Sequence, residues 1–203
     1  MKSYHQYCGV ARALDRVGER WTLLLIRDLL IGPRRYSELQ RALGGISPGI
    51  LSQRLETLTE DGLVVRQSDH RYALTQLGAE LEATVLALGA FGARYLNGPQ
   101  PDDRLDPRWA MVSLKRRYRG SRSAGSVLFA VGPDAYWTSF RDSVFQVKEH
   151  TDEWSDARIE GEAKAWFTLL NRIRSLNEML AEDRIVITGK RRVARALLRA
   201  IGV

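Results

Sequence analysis

The chain has 203 residues, of which 44% are hydrophobic and 27% charged, an ordinary composition for a globular protein. This length allows one or two domains, each large enough to bury a core. The longest apolar runs, such as residues 23–26, are too short to cross a bilayer, and the first residues lack the apolar core of a signal peptide. A single cysteine excludes an internal disulfide framework, so we expect a cytoplasmic protein with no membrane partner.

The net charge of +7 is a mild indication of a polyanionic partner such as nucleic acid. Residues 1–100 hold 12 Lys and Arg against 10 Asp and Glu, a balance of +2. The remaining residues hold 19 against 14, a balance of +5. The excess of positive charge therefore lies mostly in residues 101–203.

The first half shows mostly helical spacing of apolar residues. Residues 8–18 and 20–32 each predict a helix, ended by Gly18 and Gly32. A third helix is expected in residues 36–43, with Ser37 as its N-cap. Glu38 would then lie in the first turn, where a negative charge suits the helix dipole.

A fourth helix is predicted within the segment GGISPGILSQRLETLTEDGLV, residues 44–64. Ser47 fits as its N-cap, and Pro48 fits the first helical position, where the missing N–H costs nothing. Ile46 can pack onto Leu51 as a hydrophobic staple. At about 100° per residue, one line of side chains is expected to face the core: Leu51, Leu55, Leu58 and Gly62.

The opposite side of this helix is small and polar near its start, at Gly49, Ser52 and Gln53. Such residues let a helix approach base edges, and a Gln can pair bidentately with adenine. The helix N-terminus also favours phosphate. The alternative is an ordinary amphipathic surface helix, and Glu56 and Glu60 favour that interpretation because they would repel phosphates.

Two β-prone segments follow, residues 63–67 and 71–75, and predict a hairpin around the turn at residues 68–70. One long helix is then expected from Thr75 to about Leu96. Several small helices that lead into a hairpin and a final helix are the plan of a winged helix-turn-helix.

The segment CGVARALDRVGERWTLLLIRDLLIGPRRYSELQRALGGISPGILSQRLETLTEDGLVVR, followed by YALTQLG, closely resembles the HxlR family of bacterial winged-helix regulators. The resemblance covers about residues 7–97. It implies a homodimer formed through the N-terminal helix and the long final helix. It also implies a recognition helix at residues 47–54 in the major groove of double-stranded DNA, with the wing near the minor groove.

The resemblance also implies roles for individual residues. Ser47 would open the recognition helix, and its base-facing positions would be Gly49, Ser52 and Gln53. The phosphate-positioning residues would be Arg34, Arg35, Ser37 and Arg54. Arg71 is the candidate in the wing, which is several residues shorter than the family usually has. Arg54 could equally be a structural ion-pair partner.

Cys8 lies near the start of the first predicted helix, where its thiol pKa can be lowered. Some members of the resembled family sense oxidants through a cysteine at this place, so Cys8 is a redox candidate. The alternative is a small apolar residue buried at the dimer interface. We find no pattern typical of a catalytic, metal or cofactor site, and expect no enzyme.

Three prolines in the segment from residue 97 to residue 108 predict a linker. We therefore expect a winged-helix domain at residues 1–97, a linker at 98–108 and a second domain at 109–203. After a helix at 107–118, residues 115–126 are expected to be a solvated helix end and loop. Strands are predicted within residues 126–131, 135–141, 143–149, 156–162 and 183–189, with helices at 162–171, 175–182 and 191–202.

The second half resembles a sterol-carrier-type domain, most clearly over residues 156–203. That resemblance implies an α/β sheet covered by helices, with a tunnel for a hydrophobic small-molecule ligand. The family pattern prefers glycine where Asn171 and Asp183 stand, so an open tunnel does not follow directly. The alternative is a closed core filled by large side chains: Trp109, Phe129, Trp137, Phe145, Trp166, Phe167 and Met179.

The whole chain is therefore expected to be an α+β protein that regulates transcription as a DNA-binding homodimer, with a hydrophobic effector in its second half. The alternative function is a lipid-carrier or dimerisation protein in which sequence-specific DNA binding is secondary.

Overall fold

A computed structural model describes residues 3–149 and 153–203. The chain divides into two compact units, Met1–Val85 and Leu86–Val203. The division falls inside a helix, and the segment expected to be a linker, residues 98–108, belongs to the second unit. In the described part of the chain, no helix combines the length and the apolar character that crossing a membrane requires.

The first unit combines helices with a small sheet. Its helices are α1 (Gly9–Val17), α2 (Thr22–Leu29), α3 (Tyr36–Leu43), α4 (Pro48–Glu60) and α5 (Gln76–Ala79), and α6 (Glu82–Gly92) continues into the second unit. Its antiparallel sheet has the order β1-β3-β2, from β1 (Arg34–Arg35), β2 (Val64–Arg66) and β3 (Arg71–Leu74). The predicted hairpin is confirmed, whereas the two-residue strand β1 was not anticipated.

Helix α4 begins as its sequence predicts. The Ser47 hydroxyl accepts a hydrogen bond from the Ile50 N–H at 3.3 Å, and Pro48 is the first helical residue. Ile46 and Leu51 are buried in the same core, together with Leu55 and Leu58 on the predicted line. Gly62 was wrongly placed on that line, because it lies beyond the helix end in a turn with φ +69°.

Two further expectations for the first half were wrong. Helix α3 starts at Tyr36, so Ser37 is inside its first turn and Arg35 takes the cap position, where its N–H donates to Glu38 Oε2 at 2.7 Å. The helix expected from Thr75 to Leu96 is interrupted at residues 80–81. It continues as α6 and ends in a 3₁₀ turn at Ala93–Tyr95.

The interruption follows from how α5 is fixed to the turn after α4. The Thr75 hydroxyl donates to Gly62 O at 2.6 Å, and the Thr75 N–H donates to Leu63 O at 3.0 Å. Gly78 packs so closely on this turn that a Cβ there would lie 2.0 Å from Leu63 O. Because α5 is held in place, it ends in two hydrogen bonds of the i→i+3 type before α6 begins. The Glu80 N–H donates to Leu77 O and the Leu81 N–H donates to Gly78 O.

The second unit is a mixed five-stranded sheet with four main helices. The strands are β4 (Ser121–Val131), β5 (Asp134–Asp142), β6 (Val144–Glu149), β7 (Ala157–Gly161) and β8 (Ile185–Gly189), in the order β6-β5-β4-β7-β8. Among the strands of the described residues, only β4 and β7 pair in parallel. The helices are α7 (Pro107–Arg117), α8 (Ala163–Leu170), α9 (Leu176–Ala181) and α10 (Arg191–Ala200).

We expected residues 115–126 to be a helix end and a loop, and this was wrong for the second half of the segment. Strand β4 starts at Ser121, and its pairing with β5 is irregular between Ser121 and Gly125 before becoming continuous. A strand with this interruption shows no clean alternation in the sequence. The charged and small residues of the segment therefore suggested a loop.

One face of this sheet carries the core of the second unit. Phe129 of β4 and Trp166 of α8 are fully buried, with their rings 5.1 Å apart edge to face, and Met179 is buried as well. The other aromatic residues considered as core are only partly buried: Trp109, Trp137, Phe145 and Phe167. On the opposite face, Lys148 and Arg158 are exposed, so the unit has one helical layer on one side of its sheet.

Asp156, just before β7, joins the strands to the start of α10. Its carboxylate accepts from the Ser126 N–H at 2.9 Å and from Lys190 Nζ at 2.9 Å. The Ser126 N–H first, and then the Lys190 side chain, lower the pKa of Asp156 below its ordinary value. This carboxylate therefore contributes stability when ionised.

Gly78→Ala should destabilise the first unit by about 1–3 kcal/mol, because the added methyl must displace the backbone at Leu63. The melting temperature should fall by about 2–4 °C per kcal/mol in a thermal unfolding experiment. Gly49→Ala is the matched control, because its Cβ would meet no atom within 4 Å. Equal melting temperatures for the two variants would contradict the close contact.

Asp156→Asn should destabilise the protein at neutral pH by about 1–2 kcal/mol, because hydrogen bonds to a charged group are lost. A carboxylate whose pKa is lower in the folded than in the unfolded protein stabilises the fold at pH values above its unfolded pKa. This stabilisation is lost as the pH falls through the folded pKa. The variant and the wild type should therefore converge in urea unfolding below about pH 4. The exposed Asp102→Asn should show no such dependence, and a pH-independent difference for Asp156→Asn would rule out this role.

Candidate nucleic-acid interface

The outer face of α4 presents a small polar surface near the helix start. Gly49, Ser52 and Gln53 are all exposed, while the leucines on the other side of the helix are buried. No atom lies within 4 Å of the position that a Cβ on Gly49 would occupy. A double helix could therefore approach the backbone here without displacing protein atoms.

Tyr36 connects α3 to the start of α4, a contact that the sequence analysis missed. Its hydroxyl donates to Pro48 O at 2.8 Å and accepts from Ser52 Oγ at 3.3 Å. Tyr36 thus fixes the first turn of α4 and orients one of the three predicted base-facing side chains. No spacing rule marks this contact, because the two partners belong to different helices.

The small sheet brings together two arginines that are distant in sequence. Arg35 in β1 lies directly opposite Arg71 in β3, and Arg34 lies opposite Tyr72. Arg35 is exposed, Arg34 and Arg71 are half-buried, and Ser37 is exposed in the first turn of the adjoining helix. The structure therefore groups the predicted wing arginine with the residues just before α3.

Asp69 partly neutralises Arg71 in the wing. The Asp69 carboxylate accepts from the Arg71 N–H at 3.1 Å and from its Nε at 2.6 Å. The backbone N–H first, and then the Arg71 side chain, lower the pKa of Asp69, so this carboxylate is ionised at neutral pH. A phosphate would have to compete with it for the guanidinium group.

Arg54 lies away from the exposed polar face. Its Nη2 is 3.2 Å from Glu19 Oε2, and its side chain is only 19% exposed. It lines a cavity of about 240 Å³ whose walls include Asp15, Arg16 and Thr22. These contacts favour the alternative in which Arg54 is a structural ion-pair partner rather than a phosphate contact.

Cys8 is the N-cap residue of α1 and is exposed in the single chain. The N–H groups of Ala11 and then Val10 stabilise the thiolate and lower the pKa of the Cys8 thiol. The thiol is thus more readily ionised than an ordinary cysteine, which is the property that a reactive cysteine needs.

Comparison with known proteins identifies the family of this chain. Residues 16–100 match the model of the HxlR-like helix-turn-helix family. The regulator YtfH of Escherichia coli is 34% identical over 91 residues, which are 42% of this chain and 72% of YtfH. The chain belongs to the HxlR-like helix-turn-helix family. The winged helix-turn-helix expected for the first half is thereby supported.

Other relatives match the same part of the chain. An HTH-type transcriptional regulator of Mycobacterium tuberculosis is 44% identical over 104 residues, 47% of this chain and 65% of its own length. The chain thus spans slightly less than two thirds of this mycobacterial relative. The quinone-bound structure of YodB from Bacillus subtilis is 32% identical, covers 42% of this chain and 96% of YodB, and has a TM-score of 0.39.

Asp69→Asn should release Arg71 for contact with phosphate, because the competing carboxylate charge is removed. Affinity for random-sequence duplex DNA should rise, and the salt dependence should steepen by up to about 0.9 in the slope of log K against log salt. Fluorescence anisotropy titrations at several salt concentrations measure both quantities. Glu80→Gln makes the same change in net charge in the first unit, and an equal effect from it would exclude a specific role for Asp69.

Proposed function

We propose that this protein is a transcriptional regulator that binds double-stranded DNA as a homodimer, with α4 as its recognition helix. The observation that carries this proposal is the exposed surface of Gly49, Ser52 and Gln53 at the start of a helix whose opposite side is buried. Relatives that match this part of the chain are named HTH-type transcriptional regulators, which supports the same function.

In this proposal, α4 enters the major groove and Gln53 contacts a base edge, because a Gln side chain can pair with adenine through two hydrogen bonds. Ser52 and Gly49 allow the close approach, and the helix start at Ser47 faces the backbone. Arg35 and Arg71, opposite each other in the sheet, position the protein on phosphates together with Arg34 and Ser37. Arg54 has the structural role that its ion pair with Glu19 favours.

Exposed apolar residues support the homodimer. In and just before α1, Tyr7, Val10 and Leu14 are exposed at helical spacing. Leu88 and Phe91 are likewise exposed on α6. Grouped apolar residues at a surface are typical of protein contacts. Two recognition helices related by a dimer axis would read half-sites about one helical turn apart.

The proposal includes a hydrophobic small-molecule effector in a sterol-carrier-like second unit. A cavity of about 550 Å³ in that unit is open to solvent and has charged walls at Asp134, Glu149 and Arg158, which do not favour an apolar ligand. Asp183 adopts φ +51°, the conformation that favours the glycine of the sterol-carrier pattern. Such an effector regulates only if it binds the DNA-bound and free states unequally. A redox role of Cys8 would act through the same DNA-binding equilibrium.

Gln53→Ala and Arg35→Ala should have distinguishable effects on DNA binding. Loss of a bidentate base contact should relax the preference at one base position by about 1–3 kcal/mol. Loss of a phosphate contact should weaken binding to all sequences alike. The measurement is selection of fragments from the organism's own genomic DNA at physiological salt, followed by affinity measurements on single-base variants of the selected site.

A recurring inverted repeat is the expected result for the full chain, since a homodimer presents two symmetric recognition helices. Selection of no common sequence, or unchanged base preference in Gln53→Ala, would contradict α4 as the reading element.

A further inference from the structure

Two segments of the second unit contain basic residues and no acidic ones. Residues 107–133 hold six Lys and Arg, and residues 184–203 hold another six, with no Asp or Glu in either segment. The balance of +5 in residues 101–203 therefore comes from two stretches that are far apart in sequence. Where the fold places them decides whether their charges act together.

The fold brings the ends of the two segments together. The Arg119 N–H donates to Ala200 O at 2.9 Å, so the residues after α7 lie against the end of α10. Arg117 Nε donates to Ile201 O at 2.9 Å and holds the same helix end. A Cβ on Gly202 would lie 3.4 Å from Arg172 Nη2, which adds a third arginine to this corner.

Helix α10 continues this charge along its exposed side. Its buried residues pack on the sheet: Ala194, Ala196, Leu197, Leu198 and Ala200. Its four arginines are exposed and fall within an arc of about 100°, over a length of about 12 Å: Arg191, Arg192, Arg195 and Arg199. We name these four, with Arg119 and Arg172, the arginine surface.

The charges of the arginine surface have no acidic counterpart. Across residues 3–149 and 153–203, none of its six guanidinium groups forms an ion pair. Elsewhere in the same unit, Arg174 pairs with Glu182, Arg158 with Glu160 and Lys148 with Glu153. The arginine surface therefore differs from other basic residues of the unit, whose charges are paired with nearby carboxylates.

The neighbouring charges already affect Arg117 at the edge of this surface. Burial first, and then the positive charges of Arg172, Arg116 and Arg119, lower the pKa of Arg117. Clustered positive charge of this kind is unfavourable in the isolated protein and becomes favourable when an anion neutralises it.

We propose that the arginine surface binds the phosphodiester backbone of double-stranded DNA without reading sequence. Guanidinium groups bind phosphate oxygens through two parallel hydrogen bonds, and a row of about 12 Å can contact several consecutive phosphates. The choice of DNA as the partner rests on the proposed function. Insertion into a membrane is disfavoured, because the apolar side of α10 is already buried in its own unit.

The test is a full-length variant in which Arg191, Arg192, Arg195 and Arg199 are all replaced by Gln, titrated with random-sequence duplex DNA between about 50 and 200 mM salt. The slope of log K against log salt should fall by about 0.9 for each lost phosphate contact, and affinity should fall about tenfold or more. The matched control replaces four other exposed basic residues of the unit by Gln: Arg104, Arg141, Lys148 and Lys164.

A second variant with Lys at the four α10 positions keeps the charge and should retain most of the wild-type slope, which separates charge loss from misfolding. An equal slope for the Gln variant and its control would overturn the inference and leave the proposed function intact. The inference would also be overturned if the Gln variant lost binding to phosphatidylglycerol vesicles while its DNA binding stayed unchanged. If the Gln variant loses affinity for random-sequence DNA and Gln53→Ala leaves the base preference unchanged, the arginine surface is supported as a DNA contact. The same result contradicts α4 as the reading helix.

Discussion

The burial of one line of leucines in α4 is the constraint on which the candidate site depends. Leu51, Leu55 and Leu58 are nearly inaccessible to solvent, and this fixes the rotation of the helix about its axis. Once that rotation is fixed, Gly49 and Gln53 must face solvent. The cap at Ser47 and the bond from Tyr36 to Pro48 then hold the first turn at a defined position. The same packing that stabilises the unit therefore orients its polar face.

Electrostatics divides the basic residues into two groups. In the first unit, Arg54 pairs with Glu19 and Arg71 with Asp69, so part of the basic charge around α4 and the wing is compensated locally. Within the described residues of the second unit, the arginine surface forms no such ion pair. Surface ion pairs contribute little stability, but they lower the attraction of a surface for phosphate. The location of unpaired charge is thus a better guide to polyanion binding than net charge.

Helix α10 has two roles because its two sides face different surroundings. Its apolar side fills the space over the sheet beside β4, where Gly125 leaves room for Val193. Its start is held through Lys190 and Asp156, a carboxylate whose pKa is lowered by these contacts. The arginines on the outer side are consequently displayed on a rigid element. Rigid presentation limits the side-chain ordering that binding must supply.

The sequence by itself determined most element types, the N-cap at Ser47, Pro48 as the first helical residue, and the three leucines on the core line of α4, because these depend on residues a few positions apart. It could not determine the break before α6, since that depends on Gly78 packing against the carbonyl of Leu63. The pairing of Arg35 with Arg71, the ion pair of Arg54 and the contact of Tyr36 were decided by tertiary structure alone. The arginine surface was decided by the tertiary structure as well. Its charges are visible in the sequence, but only the fold joins two distant segments and, among the described residues, leaves these six guanidinium groups without an ion pair.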